Sequence, residues 1–111
     1  MSREWHKLFE NWEAAVQAIP DSGIRRATVN GVRMSLIRYR EKLWAVNDQC
    51  PHMKASLGDG RLNGFGEIIC PLHHYRFKLS NGQESENRCD DLEVHTIEQR
   101  EDGIYIGIYK K

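Results

Sequence analysis

The apolar and polar residues of this chain alternate mostly with the short period of β-strands, and tight turns separate the alternating segments. Every second residue from 32 to 36 is apolar, as expected of a strand that buries one face. The turn pair Asn30-Gly31 comes immediately before this segment. Asp102-Gly103 likewise precedes residues 104–108, where three isoleucines share one face, and Asn81-Gly82 is a further turn signal. The pattern predicts an antiparallel β domain in which hairpins dominate.

One segment departs from this pattern and predicts a short helix near the N-terminus. Residues 11–19 begin with Asn11, which can cap a helix, and carry Glu13 in the first turn. Pro20 then stops the helix because its ring cannot continue the hydrogen-bond pattern. The sequence contains no internal repeat, linker or low-complexity tract. We therefore expect residues 1–111 to form one domain that is all-β apart from this helix.

Composition and charge argue against several functional classes. The chain has 111 residues, and its 16 Lys and Arg residues balance 16 Asp and Glu residues, so no overall attraction to nucleic acid is implied. No apolar run approaches the roughly 20 residues of a membrane helix, and the N-terminal residues do not resemble a signal peptide. We expect a cytoplasmic protein that binds neither nucleic acid nor a membrane. The odd count of three cysteines favours thiol or metal chemistry over a disulfide framework.

Two short segments contain the residue types of a metal site. Cys50-Pro51-His52 and Cys70-Pro71-Leu72-His73 each place a histidine shortly after a cysteine. Two thiolates and two imidazoles make a complete set of metal ligands. Each proline pushes the preceding cysteine toward extended backbone geometry, which presets the direction of its sulfur. The sequence therefore predicts two loops that bring four ligands together, and these ligands are Cys50, His52, Cys70 and His73.

Two kinds of metal centre fit this ligand set. A structural zinc ion also accepts two cysteines and two histidines, but zinc-finger spacings usually group cysteines with cysteines and histidines with histidines. Here each loop contributes one of each, which favours a binuclear cluster with both cysteines on one iron and both histidines on the other. The remaining candidates, Cys89, His6 and His95, are interpreted as packing or surface residues.

At these motifs the chain resembles a soluble, low-potential Rieske-type [2Fe-2S] ferredoxin. The Cys-x-His and Cys-x-x-His motifs of that family match the four ligand positions, and the resemblance covers roughly residues 24–109. It includes residues 43–49 before the first loop and residues 77–82 after the second. The resemblance implies an antiparallel β-sandwich of small sheets. It places the two cluster-binding loops, about residues 47–60 and 68–78, together with the [2Fe-2S] cluster at one tip.

The function implied by the resemblance is one-electron transfer without catalysis by the chain itself. Such a ferredoxin takes electrons from a flavin-dependent reductase and passes them to a terminal oxygenase or another redox enzyme. Two alternatives stay open. One is a small structural zinc-binding domain that uses the same four residues. The other is the small subunit of a nitrite reductase-like complex, which we favour less because those relatives commonly lack the cluster ligands that this chain retains.

Several residues near the motifs differ from relatives of the resembled family. Lys54 and His74 stand where the family often has glycine, and the motif spacing selects His73 as the ligand and leaves His74 at the rim of the tip. Tyr75 and Phe77 stand where high-potential relatives place a serine and a tyrosine hydroxyl. The resemblance therefore implies a potential near the low end of the family range, about −150 mV. We expect Phe77 to pack in the core and the Tyr75 hydroxyl to point to solvent.

Charge is unevenly distributed along the chain despite the zero total. Residues 25–42 are mainly basic and residues 84–93 are mainly acidic. Two solvated faces are the simpler interpretation. A docking surface for a redox partner is the alternative, because complementary charge raises the association rate of transient complexes.

Overall fold

The computed structural model describes residues 3–52 and 55–109, which form two antiparallel sheets and one helix. The elements in chain order are β1 (Arg3–Phe9), α1 (Trp12–Ala18), β2 (Ile24–Val29), β3 (Val32–Tyr39), β4 (Lys42–Asn47), a 3-10 turn (Leu57–Asp59), β5 (Arg61–Leu62), β6 (Glu67–Ile69), β7 (Arg76–Lys78), β8 (Val94–Arg100) and β9 (Gly103–Tyr109). The large sheet has the order β1-β9-β8-β4-β3-β2, and the small sheet has the order β5-β6-β7. The predicted fold of small antiparallel sheets with one N-terminal helix is confirmed.

The predicted turns and the helix follow local backbone chemistry. Asn30 and Gly31 adopt positive φ angles of 50° and 78° and join β2 to β3 as a tight hairpin. Asp102 lies in the tight turn between β8 and β9, and Gly103 begins β9, where it pairs with Arg100. The Asn11 side chain accepts a hydrogen bond from the Ala14 N–H at 2.9 Å, which caps α1 as the sequence indicates.

The large sheet buries apolar side chains on both faces, which creates two cores. The first core lies under α1, and its buried residues are Ala15, Ile19, Met34, Leu36, Leu43, Ala45, Ile104, Ile106 and Ile108. The second core lies between the large sheet and the small sheet, and its buried residues are Ile37, Val46, Cys50, Leu57, Ile68, Cys70, Phe77, Leu79 and Leu92. Successive residues of β3 and β4 point to opposite faces, so each strand contributes to both cores. The second core contains both cysteines of the predicted motifs.

One detail of the sequence interpretation is wrong. The alternation of β3 predicts that the residues between its apolar positions face solvent, but Ser35 is fully buried, and its hydroxyl donates to Asp48 of the first loop at 2.9 Å. Asn81-Gly82 lies in the turn after β7, as the sequence indicates, and the chain reverses there so that Phe77 and Glu84 form an antiparallel bridge. A Cβ at Gly82, whose φ is 77°, would lie 1.8 Å from the Leu92 carbonyl oxygen, so this glycine allows a close backbone contact.

Within residues 3–52 and 55–109, no helix has the length and apolar character required to cross a membrane.

Candidate metal centre

Two loops at one end of the second core carry the predicted motifs. The first follows β4 and the second joins β6 to β7. Each loop is closed by the same backbone hydrogen bond: the Cys50 N–H donates to the Ala55 carbonyl, and the Cys70 N–H donates to the Tyr75 carbonyl, both at 2.8 Å. The two cysteines therefore occupy equivalent places at the bases of the loops, and both are fully buried.

The structure places the four predicted residues as two pairs, one of cysteines and one of histidines. The thiols of Cys50 and Cys70 are close enough for Cys50 to affect the acidity of Cys70. The rings of His52 and His73 lie with their centroids 5.3 Å apart and their planes inclined by 54°. His52 is half-buried, whereas His73 is exposed. The arrangement thus places sulfur donors inside and nitrogen donors toward the surface.

Burial controls the acidity of the cysteines. It raises the pKa of the Cys70 thiol to about 11, and the adjacent Cys50 adds to this effect. Burial also raises the pKa of Cys89, which is half-buried and packs against the second core, with a further contribution from Cys50. Two thiolates in such a position require a positive partner, and a metal ion supplies one.

The donor set fits a [2Fe-2S] group of the Rieske type. The Nδ1 atom of His52 is buried and has no hydrogen-bond partner among the described residues. A buried polar atom without a partner carries a desolvation cost that metal ligation can remove. The Nδ1 atom of His95 is similarly placed, but the other nitrogen of that ring bonds to Asn47 at 2.8 Å. No described group of three or more His, Cys, Asp and Glu side chains converges on one point for a single ion.

A buried carboxylate anchors the first loop. Asp48 accepts hydrogen bonds from the hydroxyls of Ser35 at 2.9 Å and Ser56 at 2.8 Å, and from the Gly58 N–H at 2.9 Å. Burial alone would raise the pKa of Asp48, but these hydrogen bonds, together with Arg26, hold it below the usual range. The carboxylate therefore ties the residues after the first motif to β3.

The second loop turns sharply at its exposed end. His73 and His74 adopt consecutive positive φ angles of 61° and 57°, a left-handed conformation that glycine adopts without strain. The structure places His74 in an exposed position that borders an open depression beside Cys70. Lys54, the other position where this chain differs from the glycine of the resembled family, lies outside the described residues.

Sequence reasoning missed a column of side chains behind His52. The Tyr75 ring stacks on the His52 ring with 3.8 Å between centroids and 12° between planes. The Arg88 guanidinium lies 3.8 Å from the centre of the Tyr75 ring. Arg88 is in turn bound by Glu84, whose side chain is fully buried. The four-residue spacing of Glu84 and Arg88 was the only sequence signal, and it is weak outside a helix.

Some of the charged residues that suggested a docking surface instead form ion pairs and hydrogen bonds within the protein. Arg26 pairs with Asp59 and donates to the Ser56 hydroxyl at 2.8 Å, so it braces the first loop. Arg33 approaches Asp48 at 3.7 Å. Glu84 is buried and is not part of an acidic surface. These residues stabilise the fold, and the docking interpretation depends on the remaining exposed charges.

Comparison with known proteins identifies a family match and similar structures. The family model for the Rieske [2Fe-2S] domain matches residues 10–97. The ferredoxin component of the naphthalene 1,2-dioxygenase/salicylate 5-hydroxylase systems of Ralstonia sp. is 34% identical over 78 residues, which cover 68% of this chain and 74% of that protein.

Two solved structures share the fold over nearly the whole chain. A chain from the complex of reduced oxygenase and oxidised ferredoxin in carbazole 1,9a-dioxygenase has a TM-score of 0.77 and 28% identity, covering 96% of this chain and 95% of that chain. A structure described as the small subunit of an NADH-dependent nitrite reductase from Mycobacterium tuberculosis has a TM-score of 0.81 and covers 98% of each chain. Its identity is only 15%, so this second likeness supports the fold alone.

Proposed function

Because the chain belongs to the Rieske [2Fe-2S] domain family, we propose that it is a ferredoxin that carries single electrons from a reductase to the terminal oxygenase of a dioxygenase-type system. The chain binds a [2Fe-2S] cluster and is an electron-transfer component, not a catalyst. The partners are inferred from relatives that are ferredoxin components of such systems. We further propose that residues 1–111 act as one Rieske domain, which the match over residues 10–97 supports.

The proposed cluster ligands are Cys50 and Cys70 on one iron and His52 and His73 on the other. The observation that carries this assignment is the buried pair of thiols beside two neighbouring imidazoles, one of which has an unpartnered buried nitrogen. When bound, the cluster accepts and returns one electron. The buried cysteine side of the site excludes water, while the exposed His73 lies where a partner protein can approach it.

The surface around His73 supports docking of a partner at the tip. Leu72, directly before His73, has 45% of its surface exposed, which is unusual for a large apolar side chain in this molecule. Pro71 and His74 are also exposed. An apolar contact beside an exposed imidazole allows a partner to exclude water from the electron path while keeping the complex transient. If exposed charges elsewhere also steer docking, the electron-transfer rate falls as ionic strength rises, and an unchanged rate rules steering out.

The decisive test is metal analysis with electron paramagnetic resonance (EPR) of the purified protein and of ligand variants. We expect two irons and two sulfides per chain. His73→Ala and Cys50→Ser should lose the cluster, because each removes a proposed ligand. His74→Ala is the matched control, since it alters the adjacent imidazole of the same turn and should keep the cluster. One zinc without colour would contradict the proposal in favour of a structural metal, and a colourless His74 variant beside a coloured His73 variant would reassign the fourth ligand.

A further inference from the structure

The column behind His52 has a geometry that isolated neutral rings do not favour. Aromatic rings prefer offset or edge-to-face contacts over face-to-face stacking. Tyr75 and His52 nevertheless lie almost parallel, with 3.8 Å between their ring centroids, closer than the roughly 4.5–7 Å usual for aromatic pairs. Arg88 lies at the same distance from the Tyr75 ring, and two groups so close to one ring centre cannot share a face. Tyr75 is therefore held between a guanidinium on one face and His52 on the other.

The far end of this column is fixed by Glu84. Its carboxylate accepts from the Arg88 side chain at 2.6 and 3.1 Å, the two-point contact that restricts a guanidinium most strongly. It also accepts from the backbone N–H groups of Arg88 at 2.8 Å and Glu86 at 3.1 Å. The Glu84 side chain has no exposed surface and accepts from all of these donors, so its carboxylate is fixed in one position. The buried Glu84 carboxylate thereby sets the orientation of Arg88, and Arg88 in turn restricts Tyr75.

We propose that Tyr75 and Arg88 are positioning residues for the His52 ligand, an inference that rests on the proposed function. Stacking on Tyr75 fixes the plane of the His52 imidazole, and Arg88 keeps Tyr75 in place from behind. The face of an electron-rich phenol ring attracts a positively charged group more strongly than a neutral group. An imidazole bound to a metal is a positively charged group in this sense. Face-to-face stacking is then favourable in the loaded protein. The two histidines consequently differ: His52 is held rigidly from the inside, while His73 remains accessible to a partner.

Four variants of the loaded protein test this role. Tyr75→Leu should alter the g-values or broaden the EPR signal of the reduced cluster and should raise the rate of iron release to a chelator about tenfold, as loss of an outer support does for other metal sites. Tyr75→Phe keeps the ring and should behave like the unaltered protein. Arg88→Gln should change the signal in the same direction as Tyr75→Leu. Arg76→Gln is the control, because it removes the same charge from an exposed arginine next to Tyr75.

The measurements distinguish a positioning role of the column from a general effect on stability and from failure of the proposed function. Urea unfolding of each variant is measured alongside. If Tyr75→Leu releases iron faster but the remaining loaded protein has an unchanged EPR signal, the column is only structural and the inference is wrong. It is also wrong if Tyr75→Phe resembles Tyr75→Leu, or if Arg88→Gln has no larger effect than Arg76→Gln. Absence of a [2Fe-2S] signal from the unaltered protein would instead overturn the proposed function, and this inference with it.

Discussion

Replacement of Glu84 by Gln should remove one of the largest single electrostatic contributions to stability in this fold. The Glu84 side chain has no exposed surface, yet it remains ionised because Arg88 and several N–H groups donate to it. The Arg88 hydrogen bond is the main reason that the pKa of Glu84 is lowered from its ordinary value of 4.5 to about 2. A difference of about 2.5 units corresponds to about 3 kcal/mol at neutral pH. Arg88 stays partly hydrated in the variant. The expected loss of unfolding free energy therefore lies at the low end of the range observed when one partner of a buried ion pair is removed.

The pH dependence of this effect has a definite sign. The pKa of Glu84 is lower in the folded protein than in the unfolded chain, so its contribution is complete well above pH 4.5 and is lost as pH falls toward 2. The difference in unfolding free energy between the original protein and Glu84→Gln should therefore shrink from about 3 kcal/mol at pH 7 to about 1.5 kcal/mol at pH 3.

Urea unfolding followed by circular dichroism at both pH values measures this difference. Glu86→Gln provides the matched control, since the exposed Glu86 carboxylate also approaches Arg88, at 3.4 Å, and an exposed pair contributes at most about 1 kcal/mol. The reasoning would be refuted by a Glu84→Gln protein within 1 kcal/mol of the original at pH 7. A difference that stays constant on acidification would equally contradict it.

Three further outcomes are expected. Asp48→Asn should destabilise the protein by about 1–3 kcal/mol, because it weakens the acceptor shared by Ser35 and Ser56, and faster amide exchange confined to the first loop would show where the loss occurs. His74→Gly should keep the cluster and raise stability by about 0.5 kcal/mol, since it relieves a φ of 57°, and a lower urea midpoint would contradict this. The midpoint potential measured by protein-film voltammetry should lie near −150 mV, at the low end of the family range of about −150 to +300 mV, and a value above about +100 mV would mean that other donors stabilise the reduced state.

Local signals in the sequence were sufficient for the helix, the two main hairpins and the pairing of the two motif loops. Each depends on residues close together in the chain, such as the cap at Asn11 or the turn at Asn30-Gly31. The burial of Ser35 was not predictable in this way, because a period of two identifies one buried face and contains no information about a distant loop that packs on the other.

The side chains that pack behind His52 could not be predicted from the sequence, for a related reason. Glu84 was counted among surface acids because carboxylates are almost never fully buried unless they are paired, and the pairing depends on the path of an irregular loop. Tyr75 was expected to turn its hydroxyl to solvent, and its contact with Arg88 joins residues 13 positions apart in segments without regular structure. By contrast, the buried position of Phe77 followed from the residue type and is confirmed.

The matching backbone hydrogen bonds at the bases of the two loops bear on how the cluster is acquired. Since Cys50 bonds to Ala55 and Cys70 to Tyr75 through main-chain atoms alone, each loop is closed without any contribution from a metal. Ordering a flexible segment costs on the order of 1–2 kcal/mol per residue, and these two main-chain bonds offset part of that cost. The free energy of cluster binding is then available to a larger extent for the bonds to iron.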